Sequence, residues 1–162
     1  MKAQGYIVLA LLLCASPFAA FAQPAEIPTT YEDYYEFSNN VDIDKHTLSL
    51  DDFKQMTKDP AVVIADLRGK EEYQRSHIKN AVYIGPDVGL ESLQAIAPDK
   101  NTTIIFYCAN SVMLSRRVSQ TYIALPQALY HGYKNSYILE NVQDEKALTD
   151  LMTPVPQQES PQ

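Results

Sequence analysis

The apolar residues of this chain fall in short, separated blocks, and the spacing within each block indicates what it forms. "AVVIADLR" (61–68) and "TTIIFYC" (102–108) are unbroken β-branched or aromatic runs of strand length. Runs without alternation suit strands buried on both faces, as in a parallel sheet. "AVYIG" (81–85) and "NSYILE" (135–140) read as two further strands. Helical patterns lie between them. In "SLDDFKQMTKD", Ser49 is placed to cap a helix, Asp51 and Asp52 suit its positive end, and Phe53 and Met56 give an inward stripe. "GKEEYQRSHIKN" predicts a short helix and turn, "VGLESLQAIAPDK" an amphipathic helix ended by Pro98, and "DEKALTDLM" a last short helix. After Cys108, the residues Leu114, Val118, Tyr122 and Leu125 share one helical face, with Pro126 as its stop or kink.

Strands alternating with helices predict an α/β domain with a mostly parallel central sheet. In such sheets ligands sit beyond the carboxyl ends of the strands. Two of those ends carry reactive residues: Asp66-Leu67-Arg68 and Cys108.

The ends of the chain have a different character. Lys2, the apolar run Tyr6 to Leu13, and Ala20-Phe21-Ala22 form a signal-peptide layout with cleavage after Ala22. The apolar run is short for a membrane span, so no stable membrane insertion is expected after cleavage. Cys14 follows a leucine run, but Leu13 stands where a lipoprotein signal wants a small residue. A soluble periplasmic or secreted protein is therefore expected over a lipid-anchored one. Residues 23–45, acidic and rich in tyrosine, read as an arm of weak structure. Tyr34, Tyr35 and Phe37 could dock it, and it could also contact a partner protein. Residues 46–152 form the domain, and 153–162 read as a flexible tail.

Charge and cysteine count narrow the function. Twenty acids against 13 Lys and Arg give −7, and loss of Lys2 with the leader makes it −8, which argues against nucleic acid as a partner. The two cysteines are Cys14 and Cys108, so cleavage leaves Cys108 alone. That excludes an internal disulfide, a CxxC redox pair and a cysteine-based zinc site. With three scattered histidines, His46, His77 and His131, no metal site and no cofactor are expected.

Several separated pieces resemble the rhodanese-like family. "VVIADLRGKEEYQRSHIKNAVYI" is similar to its first signature, in which an aspartate and an arginine end a strand, an acidic helix follows, and a "GHIxGA" turn leads to the next strand. Here these are Asp66, Arg68, Glu71, Glu72, Tyr73, His77, Ile78 and Ala81. "IIFYC" resembles the strand that delivers the family's catalytic cysteine, and "GYKNSYILE" resembles its "GYxNVYxLxGG" segment. The likeness covers roughly 46–145. It implies a flavodoxin-like, three-layer rhodanese fold and a persulfide-forming cysteine at 108. There are also departures. The glycines of "GHIxGA" are Ser76 and Asn80, and the double glycine after the last strand is Asn141-Val142. The loop "CRxGxR" is Cys108-Ala109-Asn110-Ser111-Val112-Met113, without its glycine or arginines. The chain from Cys108 to Gly132 is also longer than in compact members.

Cys108 has a physical case of its own. It ends a strand and precedes a helix expected to start near Ser111 or Val112, where N–H groups and the helix dipole favour a thiolate. Residues 109–113 would then supply a backbone cradle. From spacing alone a buried, inert cysteine is an equal reading; the resemblance favours the reactive one. If Ser111 needed φ > 0, as the family's glycine would allow, the serine would be strained by roughly 1 kcal/mol. A cysteine phosphatase is excluded, because that loop needs an arginine at the sixth residue after the cysteine, and Leu114 stands there. Arg116 and Arg117 could draw an anionic donor toward the loop, although adjacent helix arginines are more often solvated. Asp66 and Arg68 are expected to support the site, with Arg68 paired to Glu71 or Glu72 and Asp66 bracing the Cys108 loop. His77 is expected to be a hydrogen-bonded structural residue.

The expected function is an exported sulfurtransferase that carries sulfur on Cys108. It takes sulfur from thiosulfate or another small-molecule or protein sulfane donor and passes it to a thiol. The alternatives are a catalytically degenerate rhodanese-fold binding module, or a lone-thiol redox sensor.

Overall fold

The computed structural model describes residues 30–112 and 119–154. Among these, five strands form one all-parallel sheet in the order β1-β5-β4-β2-β3. The strands are β1 (Thr47–Leu48), β2 (Val63–Asp66), β3 (Val82–Tyr83), β4 (Ile104–Tyr107) and β5 (Ser136–Leu139). The two unbroken apolar runs of the sequence are β2 and β4, which pair in register from Val63 opposite Ile104 to Asp66 opposite Tyr107. β4 is central and buried along its length. The two-residue β1 at the far edge was not expected from the sequence.

Side chains alternate across this sheet, as strand geometry requires. Ala65, Leu67, Ile104, Phe106 and Cys108 face one core, packed with Leu93 and Ala97 of α4 (Leu90–Ile96 and its cap) and Ala124, Leu125 and Ala128 of α6 (Thr121–Tyr130). Ile64, Ile105 and Tyr107 face the other, with Phe53 of α2 (Leu50–Met56) and Leu148 and Leu151 of α7 (Glu145–Leu151). Two helical layers thus enclose the sheet. The chain is completed by α1 (Tyr31–Asn39), α3 (Lys70–Arg75) and α5 (Ala109–Val112).

Local chemistry accounts for the element ends. Ser49 caps α2 by accepting from the N–H of Asp52. α6 ends in a paired turn: Tyr133 N–H donates to the carbonyl of Ala128 and Gly132 N–H to that of Leu129, with Gly132 at φ 90°. This helix stop needs a left-handed residue, which glycine supplies without strain. Tyr133 is then fully buried and donates its hydroxyl hydrogen to the carbonyl of Ala97, at the end of α4.

Four expectations are corrected. The acidic arm contains a helix, α1, closed by a reciprocal Thr30–Asp33 capping box. Tyr34 and Phe37 dock it, edge-on, against Tyr130, with centroids 5.0 and 5.5 Å away. Tyr35 does not dock; it is exposed and stacks on Tyr31. Of the two roles expected for Pro126, the stop does not occur: it lies inside α6, which runs on to Tyr130. One missing N–H is tolerated because Ala124, Leu125, Pro126 and Ala128 all bury on the sheet. Tyr122, expected on the inward face with Leu125, is 56% exposed; Leu114 and Val118 lie outside the described residues, as do the leader (1–22) and the last residues of the tail.

Candidate active site around Cys108

The carboxyl ends of β2 and β4 open into a cavity of about 290 Å³ lined by Leu67, Arg68, Gly69, Glu72, Pro86, Cys108, Ala109, Asn110 and Gln120. Cys108 follows the last residue of β4 and is 2% exposed. α5 begins immediately after it, at Ala109, earlier than expected.

The groups around Sγ come from both sides. The Ser119 hydroxyl lies 3.4 Å away. Burial pushes the Cys108 thiol up, but the Ser119 hydroxyl and the N–H groups of Thr121, Asn110 and Gln120 outweigh it and hold the thiol below its ordinary value. Asn110 belongs to α5, directly after the cysteine, whereas Gln120 and Thr121 form the start of α6. The cradle expected from 109–113 is thus shared: Ala109 and Asn110 line the cavity, and the remaining donors arrive from α6, eleven or more residues on. Met113 lies outside the described residues.

Ser111 and Val112 face elsewhere. Ser111 is helical, and Asn80 is the non-glycine residue with positive φ among the described residues, so the strain considered for Ser111 does not arise. Its buried hydroxyl accepts from Cys108 N–H at 3.3 Å and donates to the carbonyl of Leu139 at 2.9 Å. Val112 packs into the core on the α2/α7 side. The residues in place of the family's double glycine complete this anchor: Asn141 donates its side-chain amide to the carbonyl of Asn110, and Val142 N–H donates to the carbonyl of Ser111 at 2.8 Å. The Cys108 loop is thereby fastened to the end of β5.

Asp66 and Arg68 form a brace of a different kind from the one expected. Arg68 does not pair with Glu71 or Glu72. Its Nε and Nη2 grip the Asp66 carboxylate, with Nη2 at 2.7 Å from Oδ2, and Nη2 also donates to the carbonyl of Ser76. Glu72 instead accepts from Gly69 N–H and caps α3. Tyr107 donates its hydroxyl hydrogen to Asp66 and accepts from the N–H of Ile78 at 3.1 Å. Asp66 therefore braces the turn after α3, and reaches the Cys108 loop only through Tyr107, the preceding residue. Burial and the Asp66 carboxylate push the Tyr107 phenol far up; Arg68, despite the opposing cost of burial, is held up by the same carboxylate. His77 is hydrogen-bonded, as expected, with Nδ1 2.8 Å from the carbonyl of Tyr73 and its ring stacked on the tyrosine. Among the described residues no group of three or more His, Cys, Asp or Glu comes together to hold a metal.

The family model for the rhodanese-like domain matches residues 49–141, more than half of the chain, and the chain belongs to this family. Among curated proteins, it is 29% identical over 99 residues to the tRNA uridine(34) hydroxylase of Yersinia pestis, covering 59% of this chain and 26% of that protein. A second such hydroxylase, from Hamiltonella defensa, matches at 29% over 97 residues. The chain thus spans about a quarter of the length of these relatives. Among solved structures, a thiosulfate sulfurtransferase from Pseudomonas aeruginosa superposes with a TM-score of 0.52 at 22% identity, over 72% of this chain and 22% of that one. The Alr3790 protein from Anabaena sp. gives 0.51 at 20% identity, over 67% and 93%. These likenesses establish the fold; the chemistry rests on the residues themselves.

Ser119, Gln120 and Thr121 were missed in the sequence. They lie beyond the family's loop spacing, and no motif ties them to Cys108. Only the fold brings the start of α6 to the end of β4.

Proposed function

We propose that this protein is an exported sulfurtransferase in which Cys108 carries a sulfane sulfur. The observation that supports it is a cysteine lining a strand-end cavity, with the Ser119 hydroxyl and the N–H groups of Asn110, Gln120 and Thr121 gathered around its sulfur. In the first step the Sγ thiolate attacks the outer sulfur of the donor. With thiosulfate, an Sγ–S bond forms, the S–S bond to the sulfonate breaks, and sulfite leaves with the electron pair. The cysteine becomes a persulfide anion. In the second step an acceptor thiolate takes the outer sulfur, and the Sγ–S electrons return to Sγ. Charge balances in both steps, and no cofactor is required. The converging N–H groups supply the electrostatic stabilisation that such anions need. A protein or small-molecule persulfide can serve as donor as well as thiosulfate. The leader pattern of 1–22 supports a periplasmic or secreted location.

The low exposure of Cys108 favours a second reading, a rhodanese-fold binding module with an unused thiol. Intact mass after incubation with thiosulfate, and separately with a small persulfide, distinguishes the two. A gain of one sulfur atom that is absent in Cys108→Ser supports the transferase, and no gain with either donor supports the binding module.

A further inference from the structure

The start of α6 links a second hydroxyl to the cysteine through Ser119. Ser119 Oγ is 3.4 Å from Cys108 Sγ and 2.6 Å from Thr121 Oγ1. Thr121 is 2% exposed and is the first residue of α6, so its side chain is held by the helix on one side and the core on the other. Sulfur, serine oxygen and threonine oxygen are thus connected, each within hydrogen-bonding reach of the next.

We propose that Ser119 and Thr121 act as a two-hydroxyl switch that follows the charge on Cys108, with Ser119 as a positioning residue for sulfur transfer. This rests on the sulfurtransferase reading for its purpose, but not for its chemistry. A hydroxyl both donates and accepts, and its hydrogen rotates freely. While Cys108 is a thiol, S–H donates to Ser119, and Ser119 donates to Thr121. When the thiol proton leaves to water in the cavity, both hydroxyls turn over. Thr121 then donates to Ser119, and Ser119 donates to the thiolate. Each hydroxyl keeps its own proton, and no group of the pair changes charge. The thiolate gains a charge-assisted hydrogen bond whose donor is itself polarised by a second one. Sγ carries this anion before it attacks a donor and again when the sulfur departs, so one device serves both steps. The fixed N–H groups of Asn110, Gln120 and Thr121 cannot reverse; the hydroxyl pair is the part of the site that can satisfy both protonation states.

The test is the pH dependence of Cys108 alkylation by iodoacetamide in the full chain. It compares Ser119→Val with Ser119→Thr, which match in volume and differ in the hydroxyl. Loss of a charge-assisted donor predicts that the Ser119→Val midpoint rises by about one pKa unit, read as roughly tenfold slower alkylation below the midpoint. Ser119→Thr keeps the wild-type midpoint. Thr121→Val raises it by less than Ser119→Val, and Thr121→Ser restores it. Equal midpoints for Ser119→Val and Ser119→Thr overturn the proposal. Sulfur loading of the wild type is read separately by mass. Loading with equal midpoints leaves the transferase standing and removes the switch; a midpoint difference without loading does the reverse.

Discussion

Tyr107 and Asp66 face each other across the β4–β2 pair, and the phenol of one donates to the buried carboxylate of the other. The bond lies one residue from the cysteine, yet on the opposite face of the sheet. It joins Arg68, the carbonyl of Ser76 and the N–H of Ile78 into one buried network. Removing a member leaves the others unsatisfied in a low dielectric. Arg68→Leu leaves the Asp66 charge unpaired and is expected to cost about 3–5 kcal/mol; Tyr107→Phe is expected to cost about 1–3 kcal/mol. Urea denaturation of the two variants measures both, and the order Arg68→Leu over Tyr107→Phe is the checkable outcome.

The same phenol gives the protein an alkaline limit. Tyr107 is raised by burial and by Asp66, so it stays protonated in the fold while the unfolded chain ionises near pH 10. Above that pH the unfolded state binds fewer protons, so stability is full below about pH 10 and falls as pH rises beyond it. Tyr133, raised by burial, acts in the same direction. Thermal unfolding followed from pH 8 to 11 should show this fall, and it should be shallower in Tyr107→Phe.

Asn80 occupies one of the two positions where the family's turn has glycine, and its φ is 65°. Asparagine tolerates the left-handed region better than other residues that carry a Cβ. Asn80→Ala is therefore expected to destabilise by about 1 kcal/mol, whereas Asn80→Gly stays within a few tenths of wild type. Chemical denaturation separates the two, and equal losses would show that the asparagine side chain itself holds the turn.

The sequence made the sheet legible because β2 and β4 are apolar on both faces, which few other contexts produce. β1 was invisible: two residues, Thr47 and Leu48, carry no period. α1 was signalled by T-x-x-D at Thr30–Asp33, but the acidic, tyrosine-rich composition masked it; its few inward residues, Tyr34 and Phe37, need Tyr130 to explain them. Pro126 misled because its cost is local while the burial that offsets it is tertiary. At the site, Cys108 was legible as a strand-end residue. The Arg68 partner was not: Asp66, Glu71 and Glu72 all lie within its reach along the chain, and only the fold shows that Glu72 is taken up in capping α3 while the guanidinium turns back to Asp66. Ser119 and Thr121 were illegible for a stronger reason: their distance from Cys108 is set by how α6 packs on β4, not by any spacing along the chain.

Although Cys108 packs against the core, the proposed function requires its thiol to be a usable nucleophile. The most direct measurement is the rate of Cys108 alkylation in the native protein at pH 7, followed by intact mass after a sulfane donor. The predicted result is fast alkylation of the folded protein, with a thiol midpoint below the free value of about 8.5, and uptake of one sulfur that Cys108→Ser abolishes while it keeps the fold. A thiol that resists alkylation until the protein is unfolded would contradict it.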